Sequence, residues 1–258
     1  MKKLFISLFV FLCCTAIIHI QAQDSGTDVL RTKKGVAVLP EVGDWAIGID
    51  ATPFFRYVGN IFANNPYAPS FGFTAQAPGA IFGKYKVTET VSYRGTLLFG
   101  ITNETTKSPN ATDPDQIDKT TTSALSIGLV GGIQVSRVVF GRLSGFYGAQ
   151  AGIMKDPYDA GTYTGALSFK DGNDSDNDYK AVGGSTYGIM AGGFIGIEYF
   201  FAPRMALAGE FGYDLMFYTQ GKRKYKPATG DEIVTDFGGN GIELTPNASG
   251  NLQLLFYF

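Results

Sequence analysis

Cysteine and histidine are confined to the first twenty residues: Cys13, Cys14 and His19 are the chain's whole complement of both. The remainder therefore has no disulfide, no thiol nucleophile, no Cys/His metal site and no histidine for acid–base catalysis. Trp45 is the single tryptophan. Charge is sparse at 17% and nets to −2, without the basic excess that nucleic-acid binding requires. Beyond residue 22 no unbroken apolar run is long enough for a membrane-crossing helix. Abundance lies elsewhere, in 34 Gly, 21 Phe and 14 Tyr among 258 residues. That composition fits many short strands better than a helical bundle.

The N-terminus reads as a secretory signal peptide, residues 1–22. Lys2 and Lys3 precede an apolar stretch from Leu4 to Ile20, and Ile20-Gln21-Ala22 forms a cleavage site before Gln23. Leu12 and Cys13 are not the small residues a lipoprotein cysteine needs before it. Residues 23–44 follow as a short basic segment with Arg31, Lys33 and Lys34, interrupted by Pro40 and Gly43. They are expected to be a periplasmic leader or a plug-like tail.

From Trp45 to Phe258 the dominant signal is period two, the mark of a strand with unlike faces. Eight segments show it: Trp45–Ala51, Ile81–Val87, Tyr93–Ile101, Leu125–Val135, Leu143–Ile153, Tyr187–Tyr199, Leu207–Phe217 and Leu252–Phe258. Their apolar faces hold 42 positions without one charge, where the 17% overall content predicts about 7. The opposite face is small and polar. It carries Asp50, Lys84, Lys86, Arg94, Arg142, Glu198, Glu210 and Asp214, with Glu104 just beyond. A soluble sandwich would put its charges outside. This arrangement predicts an all-β, antiparallel, up-and-down barrel with lipid outside and a polar interior, which must close because hydrocarbon satisfies no backbone group. Eight strands are expected. Tyr163–Phe169 and Ile233–Phe237 are further β-prone stretches that leave ten open.

Connections alternate in length. Thr88–Thr90, Ser136–Arg137 and Phe201–Arg204 read as tight turns, whereas 56–79, 105–123, 155–185 and 219–246 read as long loops. The short ones are expected on the periplasmic side, with both termini there. Trp45, Tyr85, Tyr93, Tyr187, Tyr199, Phe217 and Phe258 sit near strand ends, as interfacial girdles require.

Three places are candidates for chemistry. The nine interior charges are near balance and predict mutual neutralisation, a salt-bridge plug; a narrow charged diffusion path is the alternative. Ser126 and Ser144 face inward without a base to activate them. The loop residues Asp171, Asn173, Asp174, Asp176 and Asp178 are dense in the oxygen ligands Ca²⁺ takes, without the spacing of an EF-hand. Loop 56–79 with its flank is rich in aromatics, among them Phe54, Phe55, Tyr57, Phe62, Tyr67, Phe71 and Phe73, of the kind that stacks on sugars or docks a protein.

The chain ends Gly-Asn-Leu-Gln-Leu-Leu-Phe-Tyr-Phe, with Leu252, Leu254, Phe256 and Phe258 alternating up to a terminal aromatic. This is similar to the C-terminal signal of Gram-negative outer-membrane barrels, which the assembly machinery reads. Gly-Lys-Tyr at 83–85 and Gly-Ile-Glu-Tyr at 196–199 resemble recurrent strand ends of the same group. Over about residues 45–258 the chain resembles the OmpA/OmpX-like outer-membrane β-barrel family. The resemblance implies an integral outer-membrane protein acting structurally or through its extracellular loops on a protein or glycan, and the lack of any histidine beyond His19 predicts a non-enzymatic one without cofactor. The alternatives are a narrow channel for ions or small solutes and a subunit of a larger envelope complex. The partners implied are outer-membrane lipid and the assembly machinery, with no nucleic acid.

Overall fold

The computed structural model describes residues 30–51 (32 and 34 excepted), 79–156, 158–159, 162–163, 166–172, 177–236, 238–246 and 251–258. Residues 1–22 and the aromatic-rich stretch 54–73 lie outside this set.

Strands occupy nearly all of it. In chain order they are β1 (Trp45–Asp50), β2 (Gly79–Lys86), β3 (Val91–Pro109), β4 (Ile117–Phe140), β5 (Leu143–Asp156), β6 (Tyr158–Asp159), β7 (Thr162–Tyr163), β8 (Ala166–Lys170), β9 (Tyr179–Val182), β10 (Thr186–Ala202), β11 (Met205–Gln220), β12 (Arg223–Pro227), β13 (Ile233–Asp236), β14 (Asn240–Pro246) and β15 (Asn251–Tyr257). Every pairing is antiparallel. Eight strands form a closed ring in the order β4-β3-β2-β1-β15-β11-β10-β5, with β5 returning to β4. These eight correspond one to one with the eight alternating segments of the sequence.

Of the expected long loops, 105–123, 155–185 and 219–246 are largely sheet among their described residues, while 56–78 lies outside the described residues. β8 pairs with the upper part of β4, beyond the stretch that pairs with β5. β9 pairs with β8, β12 with β9, and β13 with β12. In direction and neighbour, β8 prolongs β5, β9 prolongs β10, and β12 prolongs β11. β14 runs beside β11 in line with β15. The ring is thus extended at one end by a wall in the order β3-β4-β8-β9-β12-β13. The β-prone stretches that left ten strands open are β8 and β13, and neither enters the ring.

Glycine marks the junction between ring and wall. A side chain at Gly184, between β9 and β10, would meet the backbone of Gly221, which follows β11. Gly221 also donates its N–H to the Ser185 carbonyl at 3.0 Å. Two chains approach this closely only where no Cβ intervenes.

The short turns lie at the other end. Thr88 closes the first, its hydroxyl accepting the Thr90 and Val91 N–H groups at 3.3 and 3.0 Å. The second is Gly141–Arg142, not Ser136–Arg137, since β4 continues through those residues to Phe140. Gly141 takes the positive φ (52°) that the turn demands. The third is Pro203–Arg204, with Arg204 at φ 60°. That conformation costs a non-glycine residue about 1–2 kcal/mol. It is held by the bonds Arg204 N–H to Val38 O (3.2 Å) and Tyr257 N–H to Arg204 O (2.7 Å).

The two faces of the ring differ sharply. Ile195 is 62% exposed, while Lys84 and Glu210 are 3% and 4% exposed. Outward residues such as Trp45, Ile47, Ile49, Leu129, Ile153, Ile189 and Ile197 are likewise exposed. The interior is not merely small and polar, as the alternation suggested. Phe82, Phe146, Phe194, Leu255 and Tyr257 are buried there among the charges.

Candidate functional site

The interior is organised around two ion pairs, each tying opposite sides of the ring. Lys84 on β2 meets Glu198 on β10 at 3.2 Å, and Arg94 on β3 meets Glu210 on β11 at 2.6 Å. Each pair joins strands four places apart in a ring of eight, so each spans its full width. Arg94 makes a second bond to Glu210 at 3.2 Å, giving the bidentate geometry that a planar guanidinium favours.

Neighbours complete both pairs. Tyr257 donates its hydroxyl to Glu198 at 2.6 Å, and the Gln253 amide donates to Glu210 at 3.3 Å. Lys84 lies over the Phe146 ring at 5.1 Å and Arg94 over the Phe194 ring at 4.1 Å. An unpaired ion here would forfeit several kcal/mol of hydration. Pairing across the ring lets two cations and two carboxylates be buried together. Higher up, Gln150 donates to Asp214 at 3.0 Å.

The short-turn mouth is stoppered by the segment before β1. Val38 is 1% exposed and packs with Ala46, Phe200, Ala206, Leu255 and Tyr257. Its N–H bonds Leu30 O at 2.8 Å, an Arg31–Ala37 bridge turns the chain back, and the Lys86 ammonium donates to Pro40 O at 2.8 Å. Residues 36–44 thus lie across this mouth, held by Val38 and Pro40. Behind it a cavity of about 50 Å³ is lined by Gln134, Ser136, Ser144, Glu198 and Tyr257. That volume is room for a water and far below the size of a small-molecule site.

The predicted charge network is only partly assembled. Lys84, Arg94, Glu198 and Glu210 form its core, Asp214 joins Gln150, Lys86 holds the plug, and Asp50 is half-buried at the end of β1. Glu104 and Arg142 do not belong to it. Glu104 has the right face of β3, but it lies above the closed ring, opposite Thr122, and is exposed. Arg142 sits in the second short turn and donates to Phe201 O at 3.1 Å. Tyr257, Gln253, Gln150, Phe146 and Phe194 were missed, although each shares the alternation phase of the buried charges.

In the acidic loop, Asn173, Asp174 and Asp176 lie outside the described residues. Asp171 accepts Nδ2 of Asn110 at 2.6 Å and of Asn177 at 2.9 Å, and Asp178 accepts the Asp171 N–H at 2.8 Å. Asn110, 7% exposed, also donates to Asp118 at 2.8 Å. These carboxylates therefore pin the β3–β4 tip to the β8–β9 connection. Among the described residues no group of three or more His, Cys, Asp or Glu is gathered as a metal site would require.

Leu252, Leu254 and Phe256 occupy the outward phase of β15, with exposed Phe258 just past its end, while Gln253, Leu255 and Tyr257 point inward. β15 pairs with β1 on one side and β11 on the other, so it is the strand that closes the ring. No protein-family model, curated protein or solved structure matches the chain.

Proposed function

We propose that the ring is a transmembrane β-barrel of a Gram-negative outer membrane, with residues 1–22 as the secretory signal. The observation that carries this reading is the inversion of its faces. Isoleucine, leucine and aromatic side chains cover the outside, and two ion pairs are buried within. A soluble monomer rarely exposes apolar patches beyond a few hundred Å². In water this belt would be an unpaid hydrophobic cost, and in hydrocarbon it is the preferred surface.

Dimensions agree. Tyr187 and Tyr199 bound the outward apolar run of β10. Twelve residues of strand cover about 40 Å, or about 30 Å along the axis at the usual ~40° tilt. That matches a hydrocarbon core of about 25–30 Å. The row Trp45–Tyr85–Tyr93 lies at the short-turn rim, with the Trp45 and Tyr85 rings 4.5 Å apart. The OmpA/OmpX-like family remains the proposed assignment, supported by eight ring strands and a C-terminal strand that closes them.

Its role is structural or surface-interacting, and non-enzymatic, exerted through the wall at the long-connection end. The stoppered, ion-paired interior favours this over a channel. Fractionation and gel mobility test the reading together. The chain should sediment with the outer membrane, resist carbonate extraction, and migrate differently before and after boiling. A chain that stays soluble without detergent would overturn it. In planar bilayers the folded chain should give no steady conductance steps, and steps altered by Glu198→Gln would reinstate the channel.

A further inference from the structure

The outer face of the wall is rich in lysine. Lys107, Lys119 and Lys170 stand directly opposite one another across β3, β4 and β8. Lys180 and Lys226 do the same across β9 and β12, with Lys224 two residues along. Lys119 shares its strand phase with the outward Leu125 and Leu129 on the uninterrupted β4, and Lys180 faces Ser168, which is in phase with Lys170. All six lysines therefore lie on the outer face, and all are exposed. Among the described residues the one ion pair on this face is Lys224 with Glu232, at 2.7 Å. The inner face carries both signs, Glu104 and Asp118 with Arg223, beside the packed rings of Phe169, Tyr179 and Tyr225.

Like charges placed directly opposite on neighbouring strands repel. A general need for solubility would scatter both signs, not stack one sign in cross-strand rows. The rows fit an extended ligand bearing several anionic groups.

Height selects the ligand. Lys119 lies six residues beyond Leu125, where the unbroken outward apolar run of β4 ends. This is about 20 Å along the strand and about 15 Å along the axis at ~40° tilt. An ordinary headgroup layer is only about 5–8 Å thick on each side. Phospholipid phosphates therefore lie below the rows, whereas phosphates on a saccharide headgroup reach them.

We infer that this lysine face binds the phosphate-bearing saccharide headgroup of a surrounding glycolipid. The inference rests on the transmembrane reading. Its test uses the full chain folded into nanodiscs of phosphatidylcholine alone, with phosphatidylglycerol, with lipopolysaccharide, or with phosphatase-treated lipopolysaccharide. Lysine acetylation read by mass spectrometry reports occupancy, with exposed Lys33, in the segment at the short-turn end, as internal reference.

Several-fold protection of Lys119, Lys170, Lys180 and Lys226 is expected with intact lipopolysaccharide alone. Lys119→Gln combined with Lys180→Gln should weaken lipopolysaccharide retention about thirtyfold and leave folding intact. Equal labelling in all discs would overturn the inference. So would equal protection by phosphatidylglycerol, or protection by soluble heparin without any by the phosphorylated lipid. A chain that never enters discs fails the transmembrane reading itself, and heat-modifiable migration separates that failure from failure of the lysine site.

Discussion

Arg94 on β3 and Glu210 on β11 face each other across the whole ring and join at 2.6 Å. With the parallel tie from Lys84 to Glu198, the interior is cross-braced at two levels. Such ties constrain shape more than a pair between adjacent strands, because their length is set by the ring's diameter.

Removing one member should leave a buried charge uncompensated. Arg94→Met and Glu210→Gln are each expected to destabilise by about 3–5 kcal/mol, and Arg94→Met with Glu210→Met to recover most of that loss. Urea unfolding in vesicles, followed by fluorescence of the single Trp45, measures both. Single variants as stable as the parent would show that the pair is not sequestered.

Ile195 lies between Tyr187 and Tyr199 on the outward face of β10. Ile195→Arg should cost about 2–4 kcal/mol in a bilayer, whereas Thr121→Arg on the wall should cost less than about 1 kcal/mol. Equal, small effects would speak for water around the belt.

The lack of cysteine after residue 14 makes introduced thiols clean reporters. Val38→Cys should resist a water-soluble maleimide in the folded state and react in urea, because Val38 is enclosed beneath the short-turn mouth. Val36→Cys, two residues earlier and exposed, should react at once. Rapid labelling of both would show that the plug does not seat.

Gly184→Leu should separate wall from ring, since the new side chain would meet the Gly221 backbone. Heat-modifiable migration should persist, while trypsin cleavage at Lys180, Lys222 and Lys224 should rise several-fold. Loss of migration instead would mean that ring and wall form one cooperative unit.

Alternation made the ring legible in the sequence because a ring strand of this kind has unlike faces along its length. It could not reveal the wall. β9 and β10 are broken at Gly183–Ser185, and β11 and β12 at Gly221–Lys222. The inward phase changes from even positions in β10 to odd positions in β9, where Tyr179 and Ala181 are half-buried. A period-two window therefore stops at each break and reports a loop. Phase also gives a side chain's face and not its height. This is why Glu104 and Arg142 were grouped with charges they do not meet. The plug escaped the alternation altogether, because Val38 acts through a turn and a few backbone bonds.

β15 carries a kinetic consequence. Ala46 pairs with Tyr257, and β1 finds this neighbour only when residues from the far end of the chain arrive. Until then β1 and β11 present unpaired rims, the kind of surface that invites mispairing with other chains. Closure of so distant a contact is expected to be slow, and the interval between synthesis and the final docking step is when the chain is most open to mispairing.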